Sequence, residues 1–368
     1  MLTLLRNLVS NGQGKCAALK NETCGVGFPL PGPPPLRRAK REGRSRDRGS
    51  LGEFHVNRTS SCLLKTAGAI LWILFAFLPT ACCAESLRVI VLLSDNTSPY
   101  QSFASKLSIR LPASIQVTVQ EQPEKPPTES QADLIVAVGV KAAQMATKQT
   151  RLPVLVAMVP KAGYEEVQAQ LSEKNRFTAI SVIYLDQPFS RQLDFIQAIL
   201  PDRHRIGVLY TPNNVINVNY MRRQASDRGV KLIAKPVMSP DKLFSALDDL
   251  LENSDVLLAL PDNTIYNSIT IRNILLSTFR SGIPFIGMSQ SYVTAGALGA
   301  VFSTQEQISD QIAATILSFA SSKELPEPQY SREFSILLNN EVARSLGLEL
   351  QSTDVIRRRM NSLGKEAP

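Results

Sequence analysis

Reactive side chains are scarce over most of this chain. Its 368 residues include two histidines and five cysteines. All five cysteines precede residue 85, at positions Cys16, Cys24, Cys62, Cys82 and Cys83. Because His55 also lies in that first part, the remainder has a single histidine, His204, and no thiol. Disulfides, thiolate metal sites and cysteine nucleophiles are therefore excluded from residues 85–368.

Motifs of common enzyme classes are missing as well. The chain has no Gly-x-Ser-x-Gly elbow, no His-Glu-x-x-His pair and no Gly-x-x-x-x-Gly-Lys-Ser/Thr phosphate loop. His204 stands between two arginines just before a predicted strand, and we interpret it as part of a surface turn. We therefore expect a protein that is not an enzyme, with no catalytic residue, no metal site and no cofactor.

Excess charge is confined to the first 65 residues. This leader holds 12 Lys or Arg against 4 Asp or Glu, so its net charge of +8 equals that of the whole chain. The rest is neutral, and the leader lacks the interleaved aromatic residues typical of nucleic-acid binding. The high pI therefore predicts no nucleic-acid partner.

The leader, residues 1–65, has no helical or strand periodicity, and we predict that it is disordered. A signal peptide does not ordinarily follow so long a preface, and Met1 is the only methionine before Met145. We therefore expect a misassigned start, with initiation nearer Leu51 or Val56.

Residues 66–84 form an uncharged stretch of 19 residues with Lys65 directly before it. An apolar core is followed by Pro79 and by small residues that suit a peptidase, so we interpret the stretch as an export signal. Two alternatives remain open: an uncleaved membrane anchor, and lipidation at Cys82 or Cys83. All three place residues 85–368 in the periplasm or on the outer face of the membrane.

From Leu87 onward, short apolar runs alternate with stretches of helical spacing, the pattern of repeated βαβ units. Continuous hydrophobicity within the runs indicates burial on both faces and hence mainly parallel strands. The predicted strands are Leu87–Leu93, Ile115–Val119, Leu134–Val138, Val154–Val159, Ala179–Ile183, Ile206–Tyr210, Lys231–Ala234, Val256–Leu260, Pro284–Met288, Ala297–Phe302 and Phe334–Leu338.

This many strands exceed one typical α/β unit, so the pattern predicts two lobes. The first series of strands ends near Tyr184–Pro188, and the pattern loosens again near 289–299 and 321–328. We expect lobe 1 to comprise residues 85–185 and 290–325, and lobe 2 residues 186–289 and 326–350. Residues 351–368 are expected to be a basic tail.

Ligands of parallel sheets bind beyond the carboxyl ends of the strands, where this chain has polar loops. Asp262 is either a counter-charge for an amine or a helix cap. Closure is predicted about Tyr184, Asp186 and Ser289. The predicted ligand contacts are Ser94, Asp95, Gly139, Tyr210, Asn213, Asp262, Asn263 and Ser289.

Six short segments in the second half resemble the substrate-binding proteins of ABC transporters, in the group related to amino-acid binders. Their order and spacing carry the resemblance more than any one of them does. They are Gln187–Pro201, Arg205–Tyr210, Asp255–Asp262, Ser281–Pro284, Val293–Ala297 and Leu338–Leu348.

The resemblance implies the periplasmic binding protein type I fold, an α/β architecture of two Rossmann-like lobes with parallel sheets joined by three crossings. It also implies capture of a small molecule, such as an amino acid, for a membrane permease with its ATPase, by a protein that is a monomer. An alternative remains open: a membrane-tethered sensor or scaffold that uses the same fold to signal to a partner protein.

Overall fold

The protein folds into two α/β lobes, each built on a six-stranded sheet. The computed structural model describes residues 86–121, 127–128, 130–149, 151–171, 179–212 and 218–366. The predictions for the leader, for residues 66–84 with Cys82 and Cys83, and for Asn213 lie outside these residues.

The first lobe alternates strands and helices up to the first exit of the chain, except that β3 follows β2 with no helix described between them. Its sheet has the order β11-β5-β4-β3-β1-β2, and all its pairs are parallel. Its opening elements are β1 (Leu87–Leu93), α1 (Ser98–Arg110), β2 (Ile115–Glu121), β3 (Leu134–Val138), α2 (Val140–Gln149), β4 (Val154–Val159), α3 (Lys161–Ala169) and β5 (Ile180–Tyr184).

The second lobe repeats the pattern. Its sheet has the order β12-β10-β9-β8-β6-β7, parallel except for β12 against β10. A 3₁₀ turn (Pro240–Lys242) precedes α6. The elements are α4 (Phe189–Ile199), β6 (Arg205–Tyr210), α5 (Val218–Ser226), β7 (Lys231–Pro236), α6 (Leu243–Leu251), β8 (Val256–Leu258), α7 (Ile271–Arg280), β9 (Phe285–Gly287), α8 (Gln290–Ala295) and β10 (Gly299–Phe302).

The last part of the chain visits both lobes. Helix α9 (Gln305–Ser322) and strand β11 (Gln329–Tyr330) return to the first lobe. Strand β12 (Ser335–Leu338) then joins the second sheet, followed by α10 (Asn340–Ser345) and α11 (Thr353–Glu366). A capping box between Thr304 and Gln307 fixes the start of α9.

Burial explains why these runs form parallel strands. All five residues of β3 are buried, because helices cover both faces of the first sheet. The edge strand β2 has a single buried residue, Ile115. The predicted strands are thus confirmed: three keep their bounds, and the bounds of the others shift by one or two residues.

Three expected boundaries are wrong. Residues 290–302 belong to lobe 2, because α8 leads into β10, which pairs with β9. Residues 329–330 belong to lobe 1, because β11 pairs with β5. The expected tail contains helix α11, which packs on α4 through the buried Ile356 and Met360.

The chain therefore passes between the lobes three times, at residues 185–188, 303–304 and 331–334, which we call the first, second and third crossings. One hydrogen-bonded group, the hinge network, joins all three: Gln187, Arg191, Ser303, Ser331 and Glu333. Gln187 Nε2 donates to Ser303 Oγ (2.8 Å), which donates to the Glu333 carbonyl (2.7 Å). Arg191 Nη1 donates to Gln187 Oε1 (2.6 Å) and to the Ser331 carbonyl (2.9 Å).

Helix α11 also supports the third crossing. The Phe334 ring lies between the guanidinium groups of Arg191 and Arg357, at 4.7 and 4.5 Å from the ring centre. Arg357 also donates to the Phe334 carbonyl over 2.9 Å. The C-terminal helix is therefore a structural part of the second lobe and of its hinge.

The burial of α11 predicts a stability loss on truncation of its apolar side chains. Ile356→Ala should lower the free energy of unfolding by about 3 kcal/mol, from lost apolar burial and the cavity left behind. The matched control is Arg358→Ala on the exposed side of the same helix, where we expect less than about 0.5 kcal/mol. Urea unfolding followed by circular dichroism measures both, and equal effects would show that α11 is not packed on the lobe.

Candidate functional site

The carboxyl edges of the two sheets lie at the crossings. The first and third crossings leave from the ends of β5 and β11 in one sheet, and the second leaves from the end of β10 in the other. Because strands within each sheet are parallel apart from β12, the loops that follow them share one edge. Because all three crossings leave from these edges, we expect the two loop-bearing edges to be the walls of a cleft between the lobes, and we call them the lobe 1 wall and the lobe 2 wall.

On the lobe 1 wall, Ser94 ties two loops together. The Ser94 amide donates to the Val138 carbonyl, and its Oγ accepts from the amide of Ala142 in the first turn of α2 (3.0 Å for each). Among the described residues Oγ has no acceptor, so its hydroxyl proton is available to an acceptor in the cleft. Ser94 is only partly buried.

Gly139 allows this close approach. Its φ is +87°, and a Cβ at this position would lie 2.5 Å from Ser94 Oγ and 2.8 Å from the Tyr100 hydroxyl oxygen. Any side chain would therefore both strain the backbone and push the serine and tyrosine away from α2.

Asp95 is held by its own loop. Its Oδ1 accepts from the amide and hydroxyl of Thr97, and these hydrogen bonds lower the pKa of the carboxyl. Burial and the charge of Asp95 together raise the pKa of Tyr100. The loop after β1 therefore presents an ionised carboxylate next to a neutral phenol.

Asp186 stands at the first crossing and contacts a residue just after the irregular end of β4. The register of β4 against β5 shifts between Val156 and Val159, and Met158 adopts a left-handed φ of 58°. After this bulge the amide of Lys161, at the start of α3, donates to Asp186 Oδ1 over 2.8 Å. Burial raises the pKa of Asp186 to about 6, offset only in part by this hydrogen bond and by the Lys161 charge.

Tyr184, two residues before Asp186, belongs to a group of aromatic rings. Its ring centre lies 4.8 Å from that of Tyr330 and 5.8 Å from that of Tyr164. Burial raises the pKa of Tyr184 and of Tyr164 to about 12, so both phenols are neutral at physiological pH.

On the lobe 2 wall, Asp262 fastens the loops after β6 and β8 to each other. Its Oδ2 accepts from the amide (2.9 Å) and hydroxyl (2.8 Å) of Thr211, and its Oδ1 from the Thr264 amide (3.1 Å). The residue is 6% exposed. The helix-cap role considered for Asp262 is wrong, because the next helix, α7, begins only at Ile271 and is preceded by Thr270. The role of Asp262 as counter-charge for an amine stays a prediction.

The other predicted contacts of lobe 2 occupy the same wall. Tyr210 ends β6 and is partly buried, while Asn263 is exposed next to Asp262. Ser289 precedes α8, with its Oγ 2.8 Å from that of Ser291. Ser289 was also expected at the hinge, and this is wrong, because β9 before it and α8 after it both belong to lobe 2.

Sequence reasoning missed Tyr330 and the hinge network. Strand β11 has only two residues, too few for any periodic pattern.

His204 lies at the amino end of β6, away from the cleft, where its amide donates to Asp255 Oδ2 over 3.1 Å. Over the described ranges, no group of three or more acidic, His or Cys side chains could hold a metal. In that same part of the chain, the helices are too short or too polar to cross a bilayer.

The geometry of Gly139 predicts a large effect of a single methyl group. Gly139→Ala should lower the free energy of unfolding by about 3 kcal/mol, from left-handed strain plus the clash with Ser94. Gly229→Ala is the matched control, because Gly229 has φ +69° and no atom within 4 Å of its Cβ position. There we expect only the strain, about 1 kcal/mol. Urea unfolding measures both, and equal losses would contradict a tight contact at Gly139.

Comparison with known structures identifies the fold as that of type I periplasmic binding proteins. A ligand-free, open substrate binding protein with adhesive properties from Clostridium difficile has a TM-score of 0.55 at 19% identity, over 73% of this chain and 97% of that one. A conserved domain protein from Vibrio cholerae O1 biovar El Tor gives 0.53 at 22% identity, over 74% and 98%. An ABC domain in complex with L-Trp from Streptococcus pneumoniae gives 0.50 at 19% identity, over 76% and 98%.

Sequence comparison is consistent with the structural one. A curated relative, the tyrosine-binding protein of Clostridioides difficile strain R20291, is 23% identical over 232 residues. The match covers 61% of this chain and 66% of the relative's length. A model of ABC transporter substrate binding proteins matches residues 125–358, more than half of the chain. These proteins are binding proteins rather than enzymes, and the chain belongs to the family of ABC transporter substrate-binding proteins.

Proposed function

We propose that the protein captures an aromatic amino acid between its lobes and delivers it, outside the cytoplasm, to an ABC permease with its ATPase. The observation that carries the proposal is that all three crossings between the lobes leave from the carboxyl ends of strands, the edges that carry the polar loops. Such a hinge allows two lobes to close over a small ligand. The named ligands of two relatives, tyrosine and L-Trp, support an aromatic amino acid.

The chemistry of the lobe 1 wall supports a carboxylate group in the ligand. Helix α2 begins directly after Gly139, and the amino end of a helix offers amide donors and partial positive charge. Ser94 adds a hydroxyl donor at that same end. Lys141 in the first turn supplies a full positive charge. We assign Ser94 and Gly139 to the carboxylate end of the ligand, and the charge of Lys141 there offsets that of the neighbouring Asp95.

The lobe 2 wall would then cover the ligand on closure. Tyr210, Asn263 and Ser289 offer an aromatic ring, an amide and a hydroxyl, while Asp262 holds the loops that carry them. Asn213, which lies outside the described residues, stays a predicted contact. The protein acts as a monomer in this proposal, since one chain supplies both walls.

The proposal predicts ligand-dependent stabilisation of the full-length protein. L-tyrosine or L-tryptophan at about 100 times its Kd should add about 2.7 kcal/mol to the free energy of unfolding, because only the folded state binds it. Differential scanning fluorimetry detects the shift, and calorimetric titration gives the Kd. Ribose serves as the chemically unrelated control. The proposal is overturned if none of the twenty amino acids raises the melting temperature.

The role of Ser94 predicts a modest, local loss of affinity. Ser94→Ala removes one hydrogen bond of about 1 kcal/mol, so the Kd for the bound amino acid should rise about fivefold. The matched control is Ser108→Ala in α1, whose hydroxyl donates to the Ala104 carbonyl of its own helix. Calorimetric titration compares both variants with the unaltered protein, and an unchanged Kd for Ser94→Ala would remove Ser94 from the site.

A further inference from the structure

The first crossing carries a carboxylate, that of Asp186, which forms no ion pair with a cation in the described part of the chain. Within the described residues, Asp186 accepts hydrogen bonds from backbone amides alone, those of Lys161 and of Asp186 itself. It belongs to none of the ion pairs found there. The nearby Lys161 ammonium pairs instead with Glu165 of the same helix, at 3.8 Å. A partly buried carboxylate in this condition favours a cation supplied from outside.

The two other acidic residues predicted to contact the ligand already have hydrogen-bond donors: Asp95 accepts from Thr97, and Asp262 is the most extensively bonded. Three hydrogen bonds from Thr211 and Thr264 occupy both of its oxygens. These carboxylates therefore differ from that of Asp186 in what they can offer a ligand. Asp262 holds the loops of lobe 2 together, whereas the Asp186 carboxylate, which accepts only from two backbone amides among the described residues, keeps capacity for a further donor.

Asp186 faces the cleft rather than the outside of lobe 1. It follows the carboxyl end of β5 and contacts the first residue of α3, and both positions lie on the lobe 1 wall. Burial first, and then the negative charge of Asp186, raise the pKa of Tyr330, so the Tyr330 phenol lies within electrostatic range of this carboxylate.

The surroundings of this carboxylate suit an organic cation. Tyr184 and Tyr330 place adjacent aromatic rings next to it, and their raised pKa values keep both phenols neutral. The faces of neutral aromatic rings attract ammonium groups, and a carboxylate supplies the full opposite charge. A divalent metal ion would need several more oxygen ligands than Asp186 offers. The chemistry is that of a site for a protonated amine.

We propose that Asp186 is the counter-charge for the protonated α-amine of the ligand and makes the site specific for amino acids over their deaminated analogues. This inference rests on the function proposed above. It also gives the ligand a direction in the cleft: the amine lies at the first crossing, and the carboxylate lies towards Ser94 and the start of α2. An amine bound at the first crossing would stabilise the closed arrangement of the hinge.

The test compares two ligands that differ only in the amine. The full-length protein and its Asp186→Asn variant are titrated with L-tyrosine and with 3-(4-hydroxyphenyl)propionate, with tryptophan and indole-3-propionate as a second pair. The unaltered protein should prefer the amino acid by at least about 30-fold, which corresponds to about 2 kcal/mol. In Asp186→Asn this ratio should fall to less than about threefold, mainly through loss of amino-acid affinity. Because the ratio is measured on one variant, it does not depend on the fraction of protein that is folded.

A matched control is Asp249→Asn on α6, whose side chain is 59% exposed and pairs with Lys235. It removes the same charge and should leave the preference for amino acids unchanged. If Asp186→Asn weakens both ligands of a pair equally, Asp186 acts on the hinge alone and the inference is wrong. If Asp186→Asn keeps its preference for tyrosine, the inference is also wrong, while the proposed function stands. If the unaltered protein binds no amino acid, the proposed function itself fails.

A second readout uses the pH dependence of the unliganded protein. Burial raises the pKa of Asp186 from 3.8 to about 6, so its charge destabilises the folded state as the pH rises through that window. Asp186→Asn should therefore melt at a higher temperature than the unaltered protein at pH 7, with the difference vanishing near pH 4. Among the described residues, the titratable groups that interact electrostatically with Asp186 are Lys161, Glu165, Tyr184 and Tyr330. In Glu165→Gln, the melting temperature should still depend on pH as it does in the unaltered protein. If this variant loses that pH dependence, the titration does not belong to Asp186 and the assignment is wrong.

Discussion

The hydrogen bonds among the three crossings are the constraint on which the rest of the structure depends. Ser303 links Gln187 of the first crossing to the carbonyl of Glu333 in the third. Arg191 binds both Gln187 and the third crossing through the Ser331 carbonyl. Buried polar groups are generally hydrogen-bonded. Here the partners Gln187, Ser303 and the Glu333 carbonyl each belong to a different crossing. The three crossings therefore act as one hinge with a defined position.

That hinge decides which surfaces face each other. Each crossing departs from the carboxyl end of a strand, so the loops that follow the parallel strands of both sheets meet across one cleft. Polar loop residues that are far apart in the sequence, such as Ser94 and Ser289, thereby line opposite walls. The site is a consequence of strand direction, and the loops supply its chemistry.

Stability and binding are assigned to different acidic residues. Asp262 and Asp133 have pairing partners within the chain, Thr211 and Arg88 among them, and contribute to its order. Asp186 receives no comparable compensation, and its raised pKa records the free-energy cost of keeping a charge there. Such a cost at a cleft wall is expected where a ligand supplies the missing partner.

The sequence by itself determined the strands and the two-lobe architecture, because buried parallel strands require continuous apolar runs such as Leu134–Val138. It also indicated which loops carry polar groups at the carboxyl ends of those strands. Only the tertiary structure decided where the chain crosses between lobes, since the residues around Ser289 have the same loop-like composition as a true crossing. Tyr330 and α11 were missed because a two-residue strand has no period and a basic helix reveals its apolar face only against α4. The difference between Asp186 and Asp262 also arose from tertiary structure, because hydrogen-bond partners distant in the sequence decide which carboxylate remains free for a ligand.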